Sequence, residues 1–169
     1  MTEKAERDTA APLRLRVATP NDIGALAPLL VRLKRLNEEF DPMLKVREDV
    51  LDRARDVLKA EIPDPKALVL AAEGVGPDRG KTVGVVRARV RERVFYSPEL
   101  EGVILDIYLL PVYRRRGVGE YLLAETVRRL QSMGAQIVTA EFPTQNQIAS
   151  RFYAKRGFRP ITGTHAKAL

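Results

Sequence analysis

The chain has 169 residues and contains no cysteine, so disulfides, thiolate metal sites and a cysteine nucleophile are all excluded. No apolar run is long enough to cross a bilayer, and the polar residues 1–11 contain no secretory core; we therefore predict a cytoplasmic protein with no membrane contact. The only histidine, His165, lies near the end of the chain, where we expect a surface position. No metal site is predicted.

The composition is that of an ordinary soluble domain, with 45% hydrophobic and 30% charged residues. We predict a disordered tail at 1–11 and a single domain over 12–169. The net charge of +7 favours solubility and attracts polyanions, either a phosphorylated small molecule or nucleic acid. Zinc-finger, helix-turn-helix and aromatic RNA-binding patterns are absent, so we do not expect nucleic-acid binding.

Residue periodicity predicts alternating helices and strands. Strands are expected at 13–17, 67–72, 82–94, 103–110 and 135–142, and a terminal hairpin at 158–161 and 165–169. Helices are expected from Thr19 to Asp41 with a kink or restart at Pro28, from about 46 to 60, from Gly117 to Gly134, and from a capping box at Thr144 and Gln147 to Gly157.

The segment 108–119 carries the strongest functional signal. It runs from an apolar strand through Pro111 and three arginines to Gly117 and Gly119, and an amphipathic helix follows at once. Free N–H groups and the helix dipole make such an N-terminus favourable for anions, and glycine lets a phosphate approach the amides. We therefore predict a diphosphate ligand. The P-loop pattern is absent, as is the first glycine of the dinucleotide fingerprint.

The pattern Arg-x-x-Gly-x-Gly at 114–119, preceded by Pro111, resembles the acetyl-CoA pyrophosphate loop of the GNAT superfamily of acetyltransferases. A second segment at 146–158 resembles the family's later helix, N-x-x-A-x-x-x-Y-x-x-x-G-F. Both occur in the family's order, with one helix and one strand between them. The motif-bearing part covers roughly residues 100–160, and the N-terminal half fits through its element order alone.

The resemblance implies an α/β fold with a mixed, splayed central sheet, helices on both faces and the order β-α-α-β-β-β-α-β-α-β-β. The split would lie between the strands at 103–110 and 136–142 and would take the pantetheine arm of acetyl-CoA. Leu109 and Leu110 would pair with that arm through their main chain. The implied cofactor-binding set is Leu109, Leu110, Arg114, Arg115, Arg116, Gly117, Val118, Gly119, Glu120, Asn146 and Tyr153.

Tyr153 is the predicted catalytic residue, because the resemblance places its phenol beside the sulfur, where it could protonate the leaving thiolate. The alternative is a tyrosine that only lines the pocket. Asn146 is expected to bind a cofactor amide or to serve in the first turn of its helix. Asp106 is a candidate general base, and it could instead pair with an arginine of the strand at 82–94. Glu101, Glu141 or a water chain are the rival bases.

The favoured hypothesis is an acetyl-CoA-dependent N-acetyltransferase in which a primary amine attacks the thioester directly. The acceptor stays open between a small amine, an antibiotic, and a protein N-terminus or lysine. An acidic cluster could attract a cationic acceptor or be a solvated face: Asn37, Glu38, Glu39 and Asp41. The alternatives are a non-catalytic acyl-CoA sensor or partner domain, and a basic nucleic-acid-binding module. A homodimer is compatible with the resemblance.

Overall fold

A computed structural model describes residues 13–114 and 117–169, so the predicted tail at 1–11 and residues Arg115 and Arg116 lie outside the described residues. The strands and α-helices of these two ranges are β1 (Leu13–Val17), α1 (Ile23–Glu38), α2 (Val50–Glu61), β2 (Ala67–Gly74), β3 (Thr82–Glu92), β4 (Leu100–Leu109), α3 (Val118–Ser132), β5 (Ile137–Ala140) and α4 (Gln147–Ala154). None of these helices is both long enough and apolar enough to span a membrane.

The five strands of the described ranges form one mixed sheet in the order β1-β2-β3-β4-β5. Neighbours from β1 to β4 are antiparallel, and β4 and β5 are parallel because α3 connects them by a crossover. The predicted α/β fold with a mixed central sheet is therefore confirmed. The sheet is buried on both faces, which explains the nearly continuous apolar sequence of β2 and β4.

Each face of the sheet has its own hydrophobic core. On one face, Leu26 of α1 and Leu58 of α2 are fully buried against a cluster that includes Val85 of β3. On the other face, Leu122 of α3 packs in a cluster with Ile104 of β4. Burial of each such side chain contributes roughly 1.5–3 kcal/mol to the free energy of unfolding. Helices α1 and α2 therefore lie on one face of the sheet, and α3 and α4 lie on the other.

A β-bulge interrupts β4 at the point where the sheet opens. Arg87 of β3 is paired with Asp106, whereas the next residue, Ala88, is paired with Ile104, so Leu105 is an extra residue without a partner in β3. Pairing between β4 and β5 ends at Ile104, whose carbonyl accepts from the N–H of Glu141 at 2.9 Å. Beyond this bond β4 continues to Leu109, whereas β5 has ended at Ala140, so the sheet opens here as predicted.

The helices differ from the prediction in two details. α1 runs through Pro28 without interruption, because the buried Leu26 and Leu30 hold it against the sheet on both sides of the proline. α2 begins at Val50 rather than near 46, since a short turn at Pro42–Leu44 and the bends after it occupy the preceding residues.

The predicted C-terminal hairpin is wrong. Residues 158–169 contain no strand, and the segment from 159 onward is exposed to solvent. Pro160 cannot donate to a sheet ladder, and Ile161 and Leu169 remain exposed, so the segment buries too little apolar surface to offset the entropy of ordering a hairpin.

Candidate active site

The split between β4 and β5 forms a cleft of about 90 Å³ that passes through the sheet. Leu33 and Asn37 of α1 line it from one face, and Ala149 and Tyr153 of α4 line it from the other. A larger groove of about 540 Å³ lies between α3 and β5 and contains none of the predicted catalytic residues. The smaller cleft is the candidate site, because it connects the two faces beside residues capable of acid–base chemistry.

The bulge in β4 decides which backbone groups face the split. The N–H of Leu110 donates to the carbonyl of Val83 at 2.9 Å, so strand alternation directs the amide groups of Ile107 and Leu109 away from β3 and toward the split. The carbonyl of Leu110 accepts from the N–H of Tyr113 at 2.9 Å. Both main-chain groups of Leu110 are therefore bonded inside the protein, and its pairing with the pantetheine arm stays a prediction.

Arg114 folds back onto β4. Its Nε donates to the carbonyl of Leu109 at 2.8 Å, and its guanidinium lies over the ring of Tyr108 at 5.3 Å from the centroid. The side chain thereby covers one of the two carbonyls that face the split. The predicted contacts of Arg115 and Arg116 with phosphate lie outside the described residues.

The two glycines of the loop have different physical roles. Gly117 has a φ of 86° at the N-cap of α3, and a Cβ added there would meet no heavy atom within 4 Å, so the backbone is open to a ligand. At Gly119, a Cβ would lie 2.9 Å from the ring of Phe152. Gly119 therefore allows α3 to pack against α4, and its contact with a phosphate stays a prediction. Between them, the side chain of Val118 is buried in the core.

Glu120 lies in the first turn of α3, where its negative charge would oppose an anionic ligand. It forms an ion pair with Arg156, which also donates to the carbonyl of Phe152 at 2.6 Å and stacks on the Phe152 ring at 3.8 Å. Arg156 neutralises this carboxylate. This role of Arg156 is not recognisable from the sequence, because its pairing with Glu120 depends on how α3 and α4 pack.

Tyr153 is packed among three phenylalanine rings and is only 9% exposed. Its ring stacks on Phe142 at 5.2 Å and meets Phe152 and Phe158 edge-on at 5.3 and 5.1 Å. Burial, and then the negative charge of Asp106, raise the pKa of the phenol to about 12. Tyr153 is consequently protonated at neutral pH and able to donate a proton.

Asp106 is buried, and both of its carboxylate oxygens accept from cations. Lys34 of α1 binds one oxygen and Arg87 of β3 binds the other. Arg87 also donates two bonds of 2.7 Å to Glu61 of α2. Burial lowers the pKa of Arg87, but Glu61 and Asp106 together outweigh it and the pKa rises. The predicted pairing with an arginine of the strand at 82–94 is therefore confirmed.

The two rival bases occupy different places. Glu101 is buried in the paired part of β4, where it accepts from Arg91 at 2.9 Å and from Thr139 at 2.6 Å. Burial raises the pKa of Glu101, yet these two hydrogen bonds outweigh burial and the pKa is lowered. Glu141 lines the cleft with a side chain that is 56% exposed, and it lies 3.5 Å from Arg91.

Asn146 lines the cleft and caps α4, since its Oδ1 accepts from the N–H of Ala149 at 3.0 Å. The predicted capping box of Thr144 and Gln147 is therefore wrong, because Asn146 takes the N-cap position. His165 is exposed in the C-terminal segment and is not one of the residues that line the cleft.

The acidic cluster does not act as a unit. Asn37 lines the cleft, whereas Glu38 accepts from the N–H of Val46 and Asp41 accepts from the N–H of Met43 at 2.8 Å. Glu39 is exposed to solvent. Only Asn37 of this group is therefore placed to meet a ligand in the cleft.

Comparisons with known proteins agree with this architecture. The model of the acetyltransferase (GNAT) family matches residues 31–158. An uncharacterized N-acetyltransferase, YhfO, of Bacillus subtilis is 23% identical over 89% of this chain and 93% of its own length. The aminoalkylphosphonate N-acetyltransferase of Salmonella typhimurium is 24% identical over 98% of this chain and 97% of its own length.

A predicted acetyltransferase from Clostridium acetobutylicum, solved with acetyl-CoA, has the same fold with a TM-score of 0.74. It is 14% identical, over 93% of this chain and 96% of its own. The chain belongs to the GNAT family of acetyltransferases, and the protein is an acyltransferase with acetyl-CoA as its acyl donor.

Proposed function

We propose that the protein is an N-acetyltransferase in which a primary amine attacks the thioester of acetyl-CoA directly, inside the cleft between β4 and β5. The observation that carries this proposal is the passage through the sheet: Tyr153 lines it from the side of α4, and Asn37 lines it from the side of α1. A donor and an acceptor can therefore enter from opposite faces and meet between them. Without a cysteine, an acetyl-cysteine intermediate is excluded.

The protein offers suitable groups for two parts of acetyl-CoA, the amides of its pantetheine arm and its diphosphate. Ile107 and Leu109 direct backbone amide groups into the split, where the amides of a pantetheine arm can pair with them as an added strand does. Gly117 leaves open space at the N-terminus of α3, where N–H groups and the helix dipole favour a diphosphate. Arg156 offsets the charge of Glu120 beside this position.

The thioester supplies an activated acetyl group and a thiolate leaving group. Tyr153 keeps its proton until the thiolate forms, because burial and Asp106 hold its pKa at about 12. It would then donate that proton as a general acid. The remaining catalysis would come from positioning of the amine against the acetyl group in the cleft.

Asp106 and Glu141 line the cleft and are the candidate bases, while Glu101 lies outside it. Both oxygens of Asp106 are bonded to cations, whereas Glu141 is more than half exposed and can pass a proton to water. We propose Glu141, with water, as the path for the proton and Asp106 as the charge that orients the amine. If instead Asp106 is the base, Asp106→Asn will lower kcat in a folded variant while Glu141→Gln leaves kcat unchanged.

The acceptor class is best approached through the relatives. The Salmonella relative is named for aminoalkylphosphonates, so small aminophosphonates are the first acceptors to test, followed by other amines, aminoglycosides and peptides. The test is calorimetric titration with acetyl-CoA followed by a thiol-release screen over these acceptors. Binding with release on one acceptor class supports the proposal. Binding without release on any class contradicts it and favours an acyl-CoA sensor.

A further inference from the structure

Lys34 brings a primary amine to the candidate active site. It lies on α1 between Leu33 and Asn37, both of which line the cleft, and its Nζ donates to Oδ1 of Asp106. Asp106 lines the same cleft as Tyr153, and its charge acts on the phenol across it. The lysine side chain is 40% exposed, so its ammonium can exchange protons with water.

This placement distinguishes Lys34 from the other lysines of the described ranges. None of them is hydrogen-bonded to a residue that lines the cleft; Lys81, for example, pairs with Asp78 on the surface. Lys59 is exposed in the last turn of α2 and offers an amine of the same chemical type outside the site.

We propose that Lys34 is a self-acetylation site, at which the protein transfers an acetyl group from acetyl-CoA to its own ε-amine when no other acceptor occupies the cleft. The inference rests on the proposed N-acetyltransferase function. The ε-amine of lysine is the same nucleophile as the primary amine of the proposed acceptor, and Lys34 stands on the acceptor side of the passage, at the carboxylate that would orient such an amine.

The reaction balances without another reactant. The ammonium of Lys34 loses a proton to water, and the nitrogen lone pair forms a bond to the thioester carbonyl carbon. The bond from carbon to sulfur breaks, the electron pair leaves with the sulfur, and the thiolate takes a proton from Tyr153. The nitrogen still carries two protons after the attack; it releases one of them through water to the phenolate, so that Tyr153 regains its proton. The products are N-acetyl-lysine and free CoA. The charge-assisted hydrogen bond from Lys34 to Asp106 must break before the attack, so the step is slow compared with turnover on an external amine.

The test incubates the full chain with acetyl-CoA and no acceptor, and follows acetylation of each lysine by peptide mass mapping. Chemical acetylation by the thioester alone would affect exposed lysines without preference, so Lys59 is the internal reference. Because Lys34 would be held beside the bound donor, we expect its acetylation to be on the order of tenfold faster than that of Lys59, or more. Excess CoA should suppress the reaction at Lys34 only.

Lys34→Arg is the matched variant, because arginine keeps a cation beside Asp106 but offers no amine that can be acetylated. It should remove the fast phase of acceptor-independent thiol release, which in the unmodified chain amounts to one equivalent per protein, and leave the slow release that chemical acetylation causes. The proposal is overturned if Lys34 is acetylated no faster than Lys59, or if excess CoA leaves its rate unchanged.

The two proposals fail in distinguishable ways. If acetyl-CoA binds and an external amine is acetylated while Lys34 stays unmodified, only the self-acetylation proposal is wrong. If calorimetry detects no binding of acetyl-CoA to the folded protein, both proposals are wrong.

Discussion

Replacing Tyr153 by phenylalanine tests the proposed chemistry most directly, because it removes one hydroxyl and keeps the ring. The stacking on Phe142 at 5.2 Å and the edge contact with Phe158 at 5.1 Å do not need the oxygen. No residue of the described ranges hydrogen-bonds the hydroxyl. We therefore expect the free energy of unfolding to change by less than about 1 kcal/mol.

The effect on turnover should be much larger. A pKa of about 12 keeps the phenol protonated throughout the neutral range, so the unmodified protein has a general acid available in every molecule. Loss of a general acid typically costs at least about 100-fold in rate, or about 2.7 kcal/mol of transition-state stabilisation. We expect kcat for thiol release to fall by that factor while the Kd of acetyl-CoA stays within about twofold.

Stopped assays of thiol release, calorimetry and thermal unfolding should be run together on this variant. Tyr121→Phe is the matched control, because Tyr121 lies on α3 outside the cleft and loses the same atom. An unchanged kcat in Tyr153→Phe would refute the general-acid role and leave Tyr153 as a lining residue. A lost affinity for acetyl-CoA in a folded variant would show that the phenol binds the donor instead.

Three further changes test the packing and electrostatics. Gly119→Ala places a Cβ 2.9 Å from the Phe152 ring, so urea unfolding should show a loss of about 1–3 kcal/mol. Asp106→Asn removes one of the two carboxylates that pair with the buried Arg87, and the same assay should show a loss of about 3 kcal/mol; an unchanged midpoint of urea unfolding would show that this ion pair does not stabilise the fold. Hydrogen bonds from two arginines, first Arg128, lower the pKa of Glu125 from 4.5 to about 2. Its stabilisation is therefore complete above about 4.5 and is lost as the pH falls toward 2, and Glu125→Gln should flatten that part of the acid-unfolding curve.

The sequence by itself determined the elements that depend on local signals. Helical and strand periodicity located the four helices and five strands of the described ranges, because burial of one face imposes a regular spacing on apolar residues. The pattern Arg-x-x-Gly-x-Gly at 114–119 behind Pro111 and the motif at 146–158 together indicated the family, since each is a local pattern along a short stretch of chain. The same local rules placed Tyr153 on a helix at the site.

Only the tertiary structure determined how these helices and strands pair and pack against one another. An extra residue at Leu105 changes which amides of β4 face the split, and only the pairing with β3 reveals it. Lys34 and Asp106 lie 72 positions apart, and their contact exists because α1 crosses the strand that carries the aspartate. Pairings of this kind depend on the register and packing of the whole sheet, which no short stretch of sequence specifies. For the same reason the sequence could name the aspartate as a candidate base but could not show that two cations already hold it.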